Sequence, residues 1–272
     1  MAPSPFASAS IRCVLVLAGV GFCLAAPAPS QTSTVPQRAG APPLAYDIVS
    51  IKPYHPKGPY ASWWRTNPDG MSANVDVQSL IMGAYNLVMP DQISGLPGWA
   101  ESTQYVVEAK MDADTMAAFN RLSKEERSKQ SDQMMQAILA ERFSLKIHHE
   151  LKQLPVYQLV IAKGGPTLKE SPSGAPMGYS VYSGRIKGQG IAIQSLAYSL
   201  SGTVGRLIVD KTGLTGKYDI DLKWSMDDAP AASDPNPSIF TALQEQLGLK
   251  LESTRAPVDT IVIEHLDKPS EN

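Results

Sequence analysis

Apolar and polar positions alternate over many short segments of this chain, which is a pattern typical of β-strands. Two pairs of segments are predicted to form hairpins: 145–150 with 156–162, and 250–253 with 258–265. The segment 54–68 is expected to be a long loop, in which Trp63 and Trp64 cap the core or line a groove. The remaining predicted strands lie at 45–52, 70–75, 105–111, 179–182, 184–189, 207–210 and 217–224.

Helical spacing of apolar residues separates these strands. Ser123 and Glu126 form a capping-box pattern that predicts the start of a helix. Asn236 can cap the last helix, and Gly248 follows its predicted end. The helices so predicted cover 76–85, 123–142, 195–201 and 236–247.

The order strand, strand, helix, strand, helix, strand, strand occurs twice along the chain, and several residues match between the two copies. We therefore predict an α+β fold with two related subdomains from an internal duplication, each with two helices packed on a mainly antiparallel sheet. Accidental similarity of ordinary α+β elements is the alternative. Two such copies can leave a cleft between them, where small ligands commonly bind. The matches are Ser79-Leu80 with Ser195-Leu196, Gly95-Leu96-Pro97-Gly98 with Gly213-Leu214-Thr215-Gly216, Tyr105 with Tyr218, Leu139 with Leu243, Leu145 with Leu249, and Pro155-Val156 with Pro257-Val258.

The N-terminal segment has the pattern of a secretory signal peptide. Arg12 precedes the apolar run 13–25, and small residues follow it. We expect cleavage and export to the periplasm or the outside of the cell. Acylation of Cys23 as a lipoprotein is disfavoured because Phe22 occupies a position that normally requires a small residue, and an uncleaved anchor is a further alternative. Both cysteines, Cys13 and Cys23, lie in this segment, so the mature chain would have no disulfide and no thiolate nucleophile.

Composition divides the remainder of the chain. A segment rich in proline, alanine, serine and threonine precedes the first predicted strand and is expected to be a disordered tether. No second apolar run is long enough to cross a membrane. The predicted domains are a signal peptide at 1–26, the tether at 27–43, a first α+β repeat at 44–163, a linker at 164–177 and a second α+β repeat at 178–268.

The formal net charge of −2 argues against nucleic acid as a partner, because no cluster of lysine and arginine provides the positive surface that phosphate binding needs. The partner is therefore expected to be a protein or a small molecule.

One cluster of side chains suggests chemistry: His148, His149 and Glu150. On a strand the two histidines point to opposite faces, so His148 and Glu150 can share a metal but the two histidines cannot. A site would also need His55 or His265 from elsewhere in the chain. The favoured interpretation is a solvated strand face, and no metal ligand is assigned.

No catalytic sequence motif accompanies this cluster. The chain has no G-x-S-x-G, S-x-x-K, P-loop or G-x-G-x-x-G sequence. Asp210 and Lys211 precede a glycine turn and could hold a polar ligand, although a turn accepts both residue types for structural reasons. We therefore assign no catalytic residue, no cofactor-binding residue and no cofactor.

Several longer stretches resemble a known family. They are SIKP at 50–53, QISGLPGW at 92–99, ERFSLKIHHE at 141–150, PVYQLVIAKGG at 155–165, VDKTGLTGKYDIDLKW at 209–224 and ALQEQLGLKLE at 242–252. Together they resemble the soil-associated family of secreted proteins of unknown function that is expanded in acidobacteria. This family has no established activity, so the resemblance provides no catalytic residues for this chain.

In element order, each half is also weakly similar to the secretin and TonB N-terminal-type domain, an α+β module used for protein contacts in the periplasm. Related domains can be appended to membrane metallopeptidase sensors, but this chain has no H-E-x-x-H sequence. Two hypotheses follow. The favoured one is a non-catalytic module that binds a protein or a small ligand through the cleft between the repeats or through an open sheet edge. The alternative is a secreted hydrolase, possibly metal-assisted, with a site near His148 and Glu150.

Overall fold

The computed structural model describes residues 44–55, 62–172, 174, 178–226 and 236–269. All of them belong to the unit Pro43–Asn272. The predicted signal peptide, with Cys23, and the predicted tether lie outside the described residues.

A long two-stranded antiparallel ribbon forms the centre of the fold. Its strands are β6 (Lys146–Ile161) and β12 (Leu249–His265), which pair along their whole lengths. A short parallel strand lies on each side: β10 (Ile208–Asp210) next to β6, and β4 (Ile93–Ser94) next to β12. The ribbon thereby becomes a four-stranded central sheet in the order β10-β6-β12-β4.

Two further antiparallel sheets accompany the ribbon. The first sheet has the order β1-β5-β3-β2 and the second sheet has the order β7-β11-β9-β8. The strands of the first sheet are β1 (Ile48–Pro53), β2 (Trp63–Asn67), β3 (Gly70–Asp76) and β5 (Gln104–Lys110). Those of the second sheet are β7 (Lys169–Glu170), β8 (Gly178–Tyr182), β9 (Arg185–Ala192) and β11 (Lys217–Lys223).

The helices begin and end where local side chains favour it. The Asp76 side chain accepts a hydrogen bond from the Ser79 backbone N–H at the start of the first helix, and Gly248 ends the last one with a positive φ. The helices are α1 (Val77–Ala84), α2 (Trp99–Ser102), α3 (Ala113–Asn120), α4 (Lys124–Arg142), α5 (Ile193–Val204) and α6 (Ile239–Leu247). No helix in the described part of the chain is long and apolar enough to cross a bilayer.

Two hydrophobic cores lie at opposite ends of the ribbon. The first core contains Leu80, Tyr105 and Leu139, and the second contains Leu196, Tyr218 and Leu243. The ribbon contributes to both: the end of β12 enters the first core, and the end of β6 enters the second. Burial of apolar area in each core is the main stabilising contribution to its half of the fold.

The α+β prediction is confirmed, and most strands are antiparallel. The capping box of Ser123 and Glu126 is also confirmed at the start of α4. The two outer sheets share one strand order. If β1–β6 with their helices are called the first half, and β7–β12 with theirs the second half, each strand of one half has a counterpart in the other, whereas α2 and α3 occur only in the first half.

The prediction of two hairpins was wrong. Segments 145–150 and 156–162 belong to one continuous strand, β6, and the two segments of the second predicted hairpin belong to β12. Pro155 and Pro257 do not interrupt these strands, because they lie in the middle of the ribbon, where each strand pairs only with the other among the described residues. A proline on such an open edge displaces no hydrogen bond of a central strand.

Three smaller predictions differ from the structure in detail. Trp63 and Trp64 belong to the strand β2 rather than to a loop, and neither joins a hydrophobic core. Of the two expected roles, lining a groove fits Trp64, which lines a cavity of about 120 Å³. The N-cap of α6 is Ser238, not Asn236, because the Ser238 side chain is the group that accepts from the backbone of the first turn. Part of the predicted linker forms β7, which pairs with β11.

Candidate functional site

A cavity of about 680 Å³ lies where the two halves meet. The first half contributes the connection after α1, and the second half contributes one face of α5, the strand β10 and one residue of β8. A cavity of this size is in the range of small-molecule sites. The residues lining this cleft are Asn86, Val88, Tyr179, Gln194, Ser195, Ala197, Tyr198, Leu207, Ile208, Val209 and Asp210.

Asn86 enters the cleft because of the way in which α1 ends. Its backbone has a φ of 53°, in the left-handed region that asparagine tolerates better than most residues. The side-chain Nδ2 donates a hydrogen bond of 2.7 Å to Oδ2 of Asp132 in α4. This bond fixes the amide, and its Oδ1 accepts no hydrogen bond from the described residues.

Helix α5 presents polar side chains to the cleft and apolar side chains to the second core. Gln194, Ser195 and Tyr198 line the cleft, whereas Leu196 and Leu200 are buried on the other side. This division follows from helical spacing, since residues three and four apart share a face. The Tyr198 side chain is 56% exposed and projects an aromatic ring with a hydroxyl group into open space.

Asp210 is the only charged residue lining the cleft within the described part of the chain. Its Oδ1 accepts hydrogen bonds from the Thr212 backbone N–H at 2.9 Å and from the Thr212 hydroxyl at 2.8 Å. Both bonds go to one oxygen. The other, Oδ2, accepts no hydrogen bond from the described residues. An oriented carboxylate with one free oxygen is suited to binding a hydrogen-bond donor or a cation.

A buried serine holds the floor of the cleft in place. The Ser201 hydroxyl donates to the carbonyl oxygen of Ala197 and accepts from the backbone N–H of Ile208, at 2.8 and 2.9 Å. It therefore connects α5 to the start of β10 and satisfies a buried donor.

Two shallower depressions adjoin the cleft on the first-half side. One, of about 290 Å³, shares Asn86, Val88 and Tyr198 with the cleft. The other, of about 310 Å³, shares Asn86 and also contains Tyr85 and His149. Burial raises the pKa of Tyr85 above its usual value, so this phenol is neutral at neutral pH.

The histidines of the ribbon each lie beside a carboxylate at the surface. His148 Nδ1 is 2.8 Å from Glu264 Oε1, and His149 Nδ1 is 3.1 Å from Asp259 Oδ2. Glu150 pairs instead with Lys152, at 3.2 Å. No group of three or more metal-ligating side chains converges among the residues that the structure describes.

The cleft therefore contains one of the residues that the sequence suggested, Asp210, and neither His148 nor Glu150. Sequence reasoning missed Asn86, Tyr179 and Tyr198. A tyrosine on the polar face of a predicted helix was a usable signal for Tyr198. Asn86 gave no signal, because its role depends on a backbone conformation and on contact between distant segments.

The comparisons with known proteins give a family match and no individual relative. No curated protein and no solved structure shows a significant match. The model of a family described as "Protein of unknown function (DUF3738)" matches residues 78–266. This match covers the ribbon, the second core, most of the first core and the whole lining of the cleft. The chain belongs to the family DUF3738.

Proposed function

We propose that the protein is a non-catalytic binding module whose ligand occupies the cleft between the halves. The observation that carries this proposal is the convergence of polar side chains from both halves around one oriented carboxylate, Asp210. Among the described lining residues there is no histidine, lysine or cysteine to act as base or nucleophile beside it. Such a lining favours binding over acid–base or nucleophilic catalysis.

A blocked cleft tests this proposal. In the Gln194→Trp variant a large side chain fills the space from an exposed position of α5. Thr203→Trp is the matched control, because Thr203 is exposed on the same helix but does not line the cleft. The purified protein and both variants are screened by thermal shift against a panel of amino acids, peptides and saccharides. We expect some compounds of the panel to raise the melting temperature of the wild type and of Thr203→Trp, but not that of Gln194→Trp.

Two results would contradict the proposal. One is a panel in which no compound distinguishes Gln194→Trp from Thr203→Trp. The other is turnover in a hydrolase screen that His148→Ala abolishes, which would support the alternative of a hydrolase site on the ribbon. Metal content measured on the same samples separates a metal-assisted hydrolase from a metal-free one.

The proposal also includes export through the N-terminal segment and membership of the soil-associated secreted group. The observation behind export is the apolar run that ends in small residues near Ala26. Sequencing the N-terminus of the protein recovered outside the cytoplasm should give a chain that begins at about residue 27. A full-length product that stays with the cells would contradict this expectation, and lipid labelling lost in Cys23→Ser would favour the lipoprotein alternative.

We further propose that the two halves derive from an internal duplication. Their sheets have the same strand order, and the ribbon has a parallel edge strand on each side. Tyr105 and Tyr218, which match in the sequence, are both buried in their cores, and Gly95 and Gly213 both have a positive φ. These equivalences support a common origin of the cleft's two walls.

A further inference from the structure

Strand β8 leaves one edge of the second sheet open. It pairs with β9 on one side and with no strand on the other in the described part of the chain. Two residues connect Tyr182 to Arg185, so this pair is hydrogen-bonded, and hydrogen-bonded pairs alternate with non-hydrogen-bonded pairs along a hairpin. The backbone N–H and C=O groups of Tyr179 and Val181 therefore point away from β9, toward the open edge.

This edge lacks the features that usually protect an edge strand from pairing. All five residues of β8 are exposed, and none is charged or a proline. Natural edge strands commonly carry lysine, proline or a bulge for protection. Here Val181 is 50% exposed and Tyr182 is 61% exposed, so apolar side chains flank the unpaired backbone groups.

The open edge and the cleft are adjacent. Tyr179 belongs to β8 and also lines the cleft, where its hydroxyl accepts a hydrogen bond of 3.3 Å from Ser199 of α5. Val181 lies opposite the buried Ile186, so Val181 and Tyr179 face the core side of the sheet. A strand added about 4.8 Å beyond β8 would direct every second side chain to that same side.

We propose that the ligand is an extended peptide segment that adds to the second sheet along β8 and places a lysine or arginine side chain in the cleft. This inference rests on the proposed function and specifies its ligand. Backbone hydrogen bonds to Tyr179 and Val181 supply affinity that is independent of sequence, and the cleft selects one side chain. Asp210 is the only charge in the described lining, and its free Oδ2 fits a cationic donor. The exposed Tyr198 ring offers a surface over which a cation is attracted.

A peptide-display selection tests the edge. A library of random nine-residue peptides is selected against the purified wild-type protein, against Val181→Pro and against Thr66→Pro. Val181→Pro removes one of the outward N–H groups, and proline is tolerated on an edge strand. Thr66→Pro is the matched control. In β2 a two-residue loop follows Asn67, so Thr66 occupies the position that Val181 occupies in β8, and its backbone N–H also points outward. We expect peptides to be enriched on the wild type and on Thr66→Pro but not on Val181→Pro.

A second measurement tests the selected side chain. One enriched peptide is synthesised with its lysine or arginine intact, with norleucine in that position, and with N-methyl groups on alternate residues. Asp210→Asn keeps the acceptor for Thr212 but loses the charge. We expect it to weaken the cationic peptide by about 10- to 100-fold, as for a charge-assisted hydrogen bond, and to leave the norleucine peptide unchanged. N-methylation should abolish binding without any change to the protein, so this result does not depend on how Val181→Pro folds.

Three outcomes would overturn the inference. They are a library without enriched peptides, enriched peptides that bind wild type and Val181→Pro equally and tolerate N-methylation, and equal wild-type affinity for the cationic and norleucine peptides. The peptide tests can fail in this way while other compounds still stabilise the wild type and not Gln194→Trp. In that case the cleft remains a binding site and only the identification of the ligand as a peptide is wrong. If both screens are empty, the proposed function falls as well.

Discussion

The two outer sheets have the same strand order but present different edges to solvent. Strand β2 ends the first sheet with two tryptophans and Arg65, whose guanidinium lies 5.0 Å from the centre of the Trp63 ring. Strand β8 ends the second sheet without any charge. The comparison shows that the same strand order can end in a charged edge strand in one sheet and in an uncharged edge strand in the other. The uncharged edge strand, β8, is also the one that lines the cleft.

The helices also differ between the halves. In the first half α4 is 19 residues long, and α3 precedes it, whereas its counterpart α6 has 9 residues. The first half therefore has more helix than the second half. Most of the cleft lining comes from the second half.

The largest expected effect comes from testing whether the two cores unfold together. Leu139 and Leu243 are equivalent in the sequence match, and both are fully buried. Replacing either by alanine should lower the free energy of unfolding by about 2–5 kcal/mol. Because the ribbon contributes to both cores, we expect each variant to shift one common urea transition. Trp224, buried in the second core, and far-UV circular dichroism report the transition. Two separate transitions, of which each variant moves only one, would show that the halves are independent.

The next largest effect on stability is expected from the side chains that hold the connection from α5 to β10 in the second half and from α1 to β4 in the first half. In the second half Ser201 satisfies the backbone N–H of Ile208. In the first half the Gln92 side-chain oxygen accepts from the backbone N–H groups of Val88 and Met89. Ser201→Ala and Gln92→Leu should each cost about 1–3 kcal/mol, because backbone donors lose their partners.

Ser199→Ala is the control for this pair of variants, since Ser199 lies on α5 but bonds at the partly exposed surface. It should change the free energy of unfolding by less than about 0.5 kcal/mol. Urea unfolding of the three variants gives the comparison. Equal losses for Ser199→Ala and Ser201→Ala would contradict the role assigned to the buried hydroxyl.

The sequence predicted the class and order of the fold because both depend on local patterns. The capping box at Ser123 and the glycine stop at Gly248 are encoded within a few residues, and the structure contains both. The prediction of hairpins failed because a proline in the sequence fits both a turn and the open edge of a long ribbon. That distinction depends on which strand lies alongside, and no local signal reports it.

The candidate site was less predictable than the fold. Asp210 drew attention because an acidic residue precedes a glycine turn, but its neighbour in the cleft, Asn86, comes from the other half. The exposed edge of β8 depends on the strand order, which places Tyr179 at the end of a sheet. Tertiary arrangement, rather than residue type, makes these side chains a site.

A smaller effect should follow from exchanging the caps of two equivalent helices. Asp76 caps α1 through a 2.7 Å hydrogen bond from the Ser79 N–H, whereas Ala192, in the same place before α5, provides no side-chain cap. Asp76→Ala should lower the free energy of unfolding by about 1 kcal/mol, and Ala192→Asp should raise it by about 0.5–1 kcal/mol. Thermal unfolding of the single variants measures both signs. A destabilising Ala192→Asp would show that the two helix starts are not equivalent.

The smallest expected effect is a pH dependence of the stability that the second sheet provides. In the second sheet the Arg185 guanidinium donates two hydrogen bonds of 2.7 Å to Asp221 and lowers the pKa of this carboxyl below its usual 3.8. A lowered folded-state pKa means that the carboxylate stabilises the fold above pH 3.8, and that this contribution disappears as the pH falls through the folded-state pKa. Arg185→Gln should therefore reduce stability slightly at pH 7 and not at all at the acid end of a urea series. A loss in Arg185→Gln that persists unchanged into acid would mean that packing of the arginine stem, rather than its charge, stabilises the second sheet.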